Sequence, residues 1–378
     1  MSAAPPSPRL PSDLAGVAEE FVLPDRFVRA EPFGSGHIND TFVAHFDRAG
    51  VRVRFILQRI NHQIFKNVPA LMENVQRVTA HAGRRAAATG VKDAHRRTLV
   101  LVPTRSGAAY WGDPEVGFWR CYRFIEEARS FDLVTQPQQA YEAARAFGEF
   151  QHLLVDLPGA RLHETIPDFH HTRSRFEAFR RAVQADVRGR AAEARADIDF
   201  ALAREGLVDV LLQLQARGEI PERVTHNDTK FNNVMLDDRT GEALCVIDLD
   251  TVMPGLALYD FGDMVRSATN AAAEDEADTA KVVMRQPVFE CLAAGYLAAA
   301  GGFLNAAERA HLAFSGKLIT FEIGLRFLTD YLEGDVYFKI KHPTHNLVRG
   351  RNQFALVRSI EQQEGAMQRF VDAVSNRS

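Results

Sequence analysis

The chain has 378 residues but few cysteines: Cys121, Cys245 and Cys291, each isolated in sequence. That scarcity excludes a disulfide framework and a cysteine-ligated zinc site, and it suits a reducing cytosol. No apolar run approaches 18 residues, so no membrane-spanning segment is expected. The N-terminus, MSAAPPSPRLPSDLAG, lacks the basic start and apolar core of a secretory signal. Its four prolines in eleven residues predict a disordered tail over residues 1–20. Basic excess is also missing. Lys+Arg is 45 against 49 for Asp+Glu, a formal net charge of -4, which argues against nucleic acid as a partner. There is no internal repeat and no signal of oligomeric state. The remainder, 46% hydrophobic and 25% charged, is a globular composition, long enough for one large or two ordinary domains.

Hydrophobic patterning divides the chain. Residues 27–60 read as three strands, RFVRAEPF, TFVAHF and VRVRFILQRI, rich in Val and Phe and separated by GSGHIND and by a turn at Ala49-Gly50. Residues 67–89 have helical spacing, with Leu71, Val75 and Val78 on one face. RTLVLVPT and GFWRCYRFI add two strands, giving β-β-β-α-β-β. Helical spacing dominates residues 139–156, 172–217 and 271–375. The expected organisation is an α+β chain: a tail over 1–20, a small β-rich lobe with one main helix over 21–126, and a large helical lobe over 127–378.

One short stretch of the helical part is dense in polar side chains. In VTHNDTKFNNVMLD a His, an Asp, a Lys and three Asn fall within eight positions, before an apolar run. VML, the turn DDRTGE and ALCVIDLD then read as a β-hairpin. Hairpin geometry brings the start of its first strand beside the end of its second. Asn233 and Asp248 should therefore meet, with Asp228 upstream in the same loop. A carboxylate and an amide oxygen are hard ligands suited to magnesium, which keeps waters and shares substrate phosphates. The spacing His226-x-Asp228-x4-Asn233, with Asp248 following a hairpin, parallels the catalytic loop and metal-binding Asp of protein kinases. Asn227 stands where those loops carry Arg. Lys230, two residues after Asp228, is placed to steady a transferred phosphoryl group or is a solvated surface charge. Asp260-Phe261-Gly262 spells the kinase DFG string but follows Pro254-Gly255 and opens a helix. Asp260 is expected to buttress the loop through its backbone N–H groups. Asp250 could join Asp248 at a second metal or orient the first.

GSGHINDTF, ILQRIN, LMENVQRV, HNDTKFNNVMLD, VIDLDTVMPG, YDFGD and GLRFLTDYLEGDVYFK together resemble the N-acetylhexosamine 1-kinases, within the aminoglycoside phosphotransferase and choline kinase superfamily. The resemblance runs from about Glu31 to Gln353. It implies a protein kinase-like two-lobe fold, ATP and Mg2+ as cofactors, and a sugar acceptor phosphorylated at its anomeric hydroxyl. It further implies Asp228 as catalytic base, Asn233 and Asp248 as magnesium ligands, and His226 as a brace of the loop.

Gly34, Ser35 and Gly36 lie between strands, where kinases keep the glycine-rich loop over ATP phosphates; glycine lets the backbone approach without a Cβ. His37 in the same turn is a candidate sugar contact. The third strand should supply a lysine to the phosphates, and none is present. Gln58 and Arg59 are the candidates, and they face opposite ways. Glu73 on the following helix is the acidic partner of that site or an exposed i,i+4 partner of Arg77. Arg326, with Glu322 and Asp330 one helical turn to either side, is a sugar-binding residue or one rung of a surface ion-pair ladder. Tyr337 lies in the same acceptor segment. Other acceptors keep a basis in the sequence: a different sugar, an aminoglycoside, or choline in an aromatic cage built from Phe327, Tyr331, Tyr337 and Phe338. A catalytically dead pseudokinase that binds nucleotide is the non-enzyme alternative.

Overall fold

The computed structural model describes residues 13–24, 26–34, 38–90 and 93–376. Ser35, Gly36, His37 and residues 1–12 lie outside that set. The chain divides into two compact units, 1–126 and 127–378.

The first unit contains α1 (Leu14–Glu19), β1 (Arg26–Pro32), β2 (Asp40–Arg48), β3 (Val51–Ile60), α2 (Val68–Ala88), β4 (Leu101–Val102), β5 (Trp111–Asp113) and β6 (Gly117–Arg123). Its antiparallel sheet has the order β1-β2-β3-β6-β4, with β5 also paired to β6. The turn between β2 and β3 uses left-handed backbone at Ala49 and Gly50, and the Gly50 N–H donates to Asp47 Oδ1 at 2.9 Å. Asn67 caps α2 through the Ala70 N–H, and Leu71, Val75 and Val78 are fully buried, as the helical spacing predicts.

Two expectations fail here. Residues 13–20 are not a disordered tail. Asp13 Oδ1 accepts the Gly16 N–H at 2.7 Å and starts α1, and Val17, Ala18 and Phe21 pack on Phe42, Leu57 and Trp119. The prolines all precede this turn, so composition averaged over twenty residues hid a short apolar face. The strand expected at RTLVLVPT shrinks to Leu101–Val102, and Pro103, which cannot donate to a ladder, follows it directly. The pairing of β5 with β6 was unexpected.

The second unit contains β7 (Ala128–Arg129), α3 (Pro137–Leu154), α4 (Thr172–Ala185), α5 (Arg195–Leu202), α6 (Val210–Ala216), β8 (Arg223–Thr225), β9 (Val234–Asp237), β10 (Ala243–Val246), β11 (Met253–Gly255), α7 (Ala257–Thr269), α8 (Gln286–Ala300), α9 (Ala306–Ala310), α10 (Leu312–Glu333) and α11 (His345–Ser375). Two small sheets, β10-β9-β7 and β11-β8, lie among these helices. The centre is α10, which packs against α4, α7 and α11. Phe321, Leu325 and Leu328 of α10 join Phe176 and Phe179 of α4 in one core. A Cβ on Gly262 would lie 2.5 Å from the Ser315 carbonyl oxygen, so glycine lets α7 rest directly on α10. Among the described residues no helix is long and apolar enough to cross a membrane.

Candidate active site

The loop from His226 to Thr229 has no ladder to pair with, so its backbone N–H groups need other acceptors. Side chains supply all four. The His226 and Asn227 N–H groups donate to Asp260 Oδ2 and Oδ1 at 2.9 and 2.7 Å. The Asp228 N–H donates to His226 Nδ1 at 3.3 Å, and the Thr229 N–H to Asp263 Oδ2 at 2.8 Å. Asp260 and Asp263 are one turn apart on α7, hence on one face of it. Asp260 is the expected buttress, and Gln151 Nε2 donates to it as well, at 2.6 Å. Asp263 is a second buttress that the sequence did not single out. Burial raises the Asp260 carboxyl above its usual range, against the pull of these N–H donors. Asp263 is also buried, but Arg266, with Nε 2.8 Å away, holds it below that range.

His226 is fully buried, edge-on to Phe147 and Phe150. Because Nδ1 accepts the Asp228 N–H, the ring proton sits on Nε2 and is donated to the Ile247 carbonyl at 2.9 Å. Asn227 is left-handed at φ 65, a conformation asparagine tolerates, and its Nδ2 donates to the Thr251 carbonyl at 2.9 Å. A buried side chain in that conformation explains Asn where protein kinases carry Arg.

Asp228 differs from these neighbours. Its side chain is 26% exposed, and its carboxylate meets Lys230 Nζ at 3.1 Å and Asn233 Nδ2 at 3.2 Å. The negative charge of Asp228, with that of Asp248 and Asp263, outweighs desolvation and raises the Lys230 pKa, keeping it an ammonium.

The hairpin forms as expected between β9 and β10, pairing Val234 with Val246. The Ile247 N–H donates to the Asn233 carbonyl at 2.9 Å, so Asn233 and the residue before Asp248 meet at one end. Asp248 lies two residues past the strand rather than ending it. It is exposed and left-handed at φ 62. Asp250 is buried, and its carbonyl accepts from Thr165 Oγ1 at 3.0 Å. Among the described residues no group of three or more His, Cys, Asp or Glu is gathered for a metal. One carboxylate and one amide oxygen nevertheless fit magnesium, which takes few protein ligands and retains water. Asn233 Nδ2 is turned to the Asp228 carbonyl at 2.8 Å, which leaves Oδ1 as its ligating end.

The surface ion-pair ladder on α10 does not form. Glu322 is fully buried and its Oε1 lies 3.0 Å from His170 Nδ1. The Asp330 carboxylate accepts the N–H groups of Val336, Tyr337 and Phe338 at 2.8, 2.8 and 3.0 Å. Both acids are thus taken, and Arg326 has no ion-pair partner among the described residues. Its guanidinium instead sits among Phe169, Tyr337 and Phe338, with ring centroids at 5.3, 5.7 and 5.7 Å. The Asp330 clamp holds two of those rings in place.

The model of the phosphotransferase enzyme family (APH) matches residues 29–301, more than half of the chain. The chain belongs to that family. Solved structures agree on a kinase-like fold. An aminoglycoside phosphotransferase from Alicyclobacillus acidocaldarius is 14% identical with a TM-score of 0.55, over 97% of this chain and 98% of that one. A choline kinase from Cryptosporidium parvum is 11% identical at 0.53, over 91% and 92%. A Plasmodium vivax ethanolamine kinase is 12% identical at 0.51, over 85% and 80%.

In the first unit of this phosphotransferase, register separates the two candidates for the missing strand lysine. Arg59 lies on the same face of β3 as Leu57, 3.9 Å from Asp40. Gln58 lies on the other face, directly across from Arg120 of β6. Gln58 Oε1 accepts from Arg120 Nε and Nη2 at 2.9 and 2.7 Å, and Arg120 Nη1 is 3.9 Å from Met72 Sδ of α2. The cation on the α2 side of the sheet is therefore Arg120, contributed by the neighbouring strand. It was missed because it is 62 residues from Gln58; only strand register could have found it. Glu73 is 54% exposed and 3.7 Å from Arg77, the i,i+4 arrangement. Gly34 is left-handed at φ 80, with open space where a Cβ would stand.

Proposed function

We propose that this phosphotransferase is an ATP- and magnesium-dependent kinase of the anomeric hydroxyl of an N-acetylhexosamine. Asp228 takes or orients the hydroxyl proton. The Lys230 ammonium offsets charge on the phosphoryl oxygens. Asn233 Oδ1 and Asp248 would hold magnesium, which when bound neutralises phosphate charge, with Asp250 behind them. Gly34 to Gly36, with Gln58 and its neighbour Arg120, serve the nucleotide. His37, Arg326 and Tyr337 serve the sugar.

The observation that carries the acceptor class is the Arg326 cage. Three aromatic faces that would suit a quaternary ammonium are already turned to the protein's own guanidinium. A fixed cation there disfavours choline, ethanolamine and polycationic aminoglycosides. It favours a neutral acceptor rich in oxygen, to which a planar guanidinium can donate two hydrogen bonds at once. The intact Asp228, Asn233 and Asp248 speak against a pseudokinase.

The test is turnover with MgATP across N-acetylglucosamine, N-acetylgalactosamine, glucose, choline, ethanolamine and kanamycin, with NMR of the product to locate the phosphate. Preference for a cationic acceptor rejects the reading. Arg326→Lys is expected to lower kcat/KM for the sugar at least about tenfold, the effect of one lost charged hydrogen bond. Affinity for MgATP should stay nearly unchanged. Steady-state kinetics with each substrate varied in turn distinguishes this from equal losses for both, which would deny Arg326 a sugar contact.

A further inference from the structure

The peptide that leads into Asp228 is held at both ends by histidines. Its N–H donates to His226 Nδ1, as described. Its carbonyl, that of Asn227, lies 3.1 Å from His170 Nε2. His170 sits just before α4 and is buried, and its other nitrogen, Nδ1, faces the Glu322 carboxylate at 3.0 Å. A carbonyl cannot donate, and neither can an ionised carboxylate, so beside an ionised Glu322 both ring nitrogens of His170 do. His226 by contrast must keep Nδ1 bare. The two rings that flank one peptide therefore need different protonation states.

We propose that His170 is a positioning residue for phosphoryl transfer: its imidazolium ties Glu322 of the acceptor helix to the Asn227 carbonyl and so sets the peptide that aims Asp228. The inference rests on the reading of Asp228 as the catalytic base. The groups facing the ring are Glu322 and Arg326 from α10, Asp263 and Tyr259 from α7, and the Asn227 carbonyl from the loop. Burial disfavours the charged ring and Arg326 opposes it. Glu322 and Asp263 outweigh both, so the ring titrates above the ordinary histidine value. Tyr259 stays neutral, because burial and the Glu322 charge push its hydroxyl far up.

The consequence of deprotonation has a direction. One proton remains on the neutral ring, and the carboxylate keeps it on Nδ1. Nε2 then turns a lone pair toward the Asn227 carbonyl, and the peptide loses its donor. The contribution to stability is fully present below the ordinary histidine value and is lost as pH rises through the raised one. Turnover should fall over the same window.

Two variants separate positioning from simple ion pairing. In His170→Gln the amide nitrogen reaches where Nε2 was, so the donor to Asn227 persists without a titrating group. In His170→Asn it reaches only where Nδ1 was, toward Glu322. With N-acetylgalactosamine and MgATP, His170→Asn is expected to lose at least about tenfold in kcat with the KM for MgATP unchanged. His170→Gln should retain most of kcat and lose the alkaline fall. An Asn variant as active as the Gln variant, or an alkaline fall that persists in His170→Gln, overturns the proposal. If neither variant folds, side-chain nitrogen NMR of the wild type decides: a neutral His170 ring at pH 7 overturns it, and a doubly protonated one that titrates with kcat supports it. Asp228→Asn run in parallel separates the two readings. Near-native turnover there rejects the catalytic loop itself, whereas a dead Asp228→Asn beside a pH-insensitive wild type rejects only the role of His170.

Discussion

Asp228→Asn is expected to fold normally and to lose roughly 10²–10⁴-fold in turnover, the span of general-base catalysis. Normal folding is expected because the loop does not hang on this carboxylate. Its four N–H groups are held by Asp260, Asp263 and the His226 ring. Asp228 meets Lys230 and Asn233, and the amide oxygen of an asparagine can still accept from both. What the amide lacks is basicity and negative charge. Thermal melts together with single-turnover kinetics check both halves. Near-native turnover in a well-folded variant would remove Asp228 from the chemistry.

The second large effect separates the two aspartates that compete for the metal. Asp260→Ala is expected to destabilise the protein severely. It strips the acceptor from the buried N–H groups of His226 and Asn227 and from the Gln151 amide, at about 1–3 kcal/mol for each group left unpaired. Asp248 calls for a different substitution. Its φ of 62 would strain an alanine, whereas asparagine accepts that backbone and keeps the size. Asp248→Asn is therefore expected to melt close to the wild type and to lose magnesium-dependent nucleotide binding. Calorimetric titration with MgATP and melts of both variants decide between them. The assignment is falsified if a folded Asp260 variant loses metal-dependent binding while Asp248→Asn keeps it.

Where the sequence could be read, the information was local. The turn at Ala49-Gly50, the helix after Asn67 and the hairpin after Asn233 each follow from residues within a few positions of one another. Where the reading failed, a partner outside the local helix or strand intervened. Glu322 and Asp330 stand at ideal helical spacing from Arg326, yet neither pairs with it. Glu322 is drawn to a histidine 152 residues away, and Asp330 to the chain that follows its own helix. The proline-rich start concealed α1 because its apolar face matters only once Phe42 and Leu57 lie beneath it.

The sequence by itself determined that the loop at 226–233 is followed by a hairpin carrying Asp248 near its end. Turn residues and strand alternation act over short distances and leave that segment few alternatives. Tertiary structure alone decided which groups brace the loop, that Arg120 stands beside Gln58, and that aromatic rings enclose Arg326. A buried polar atom must find a partner, and which partner it finds depends on elements brought together by packing.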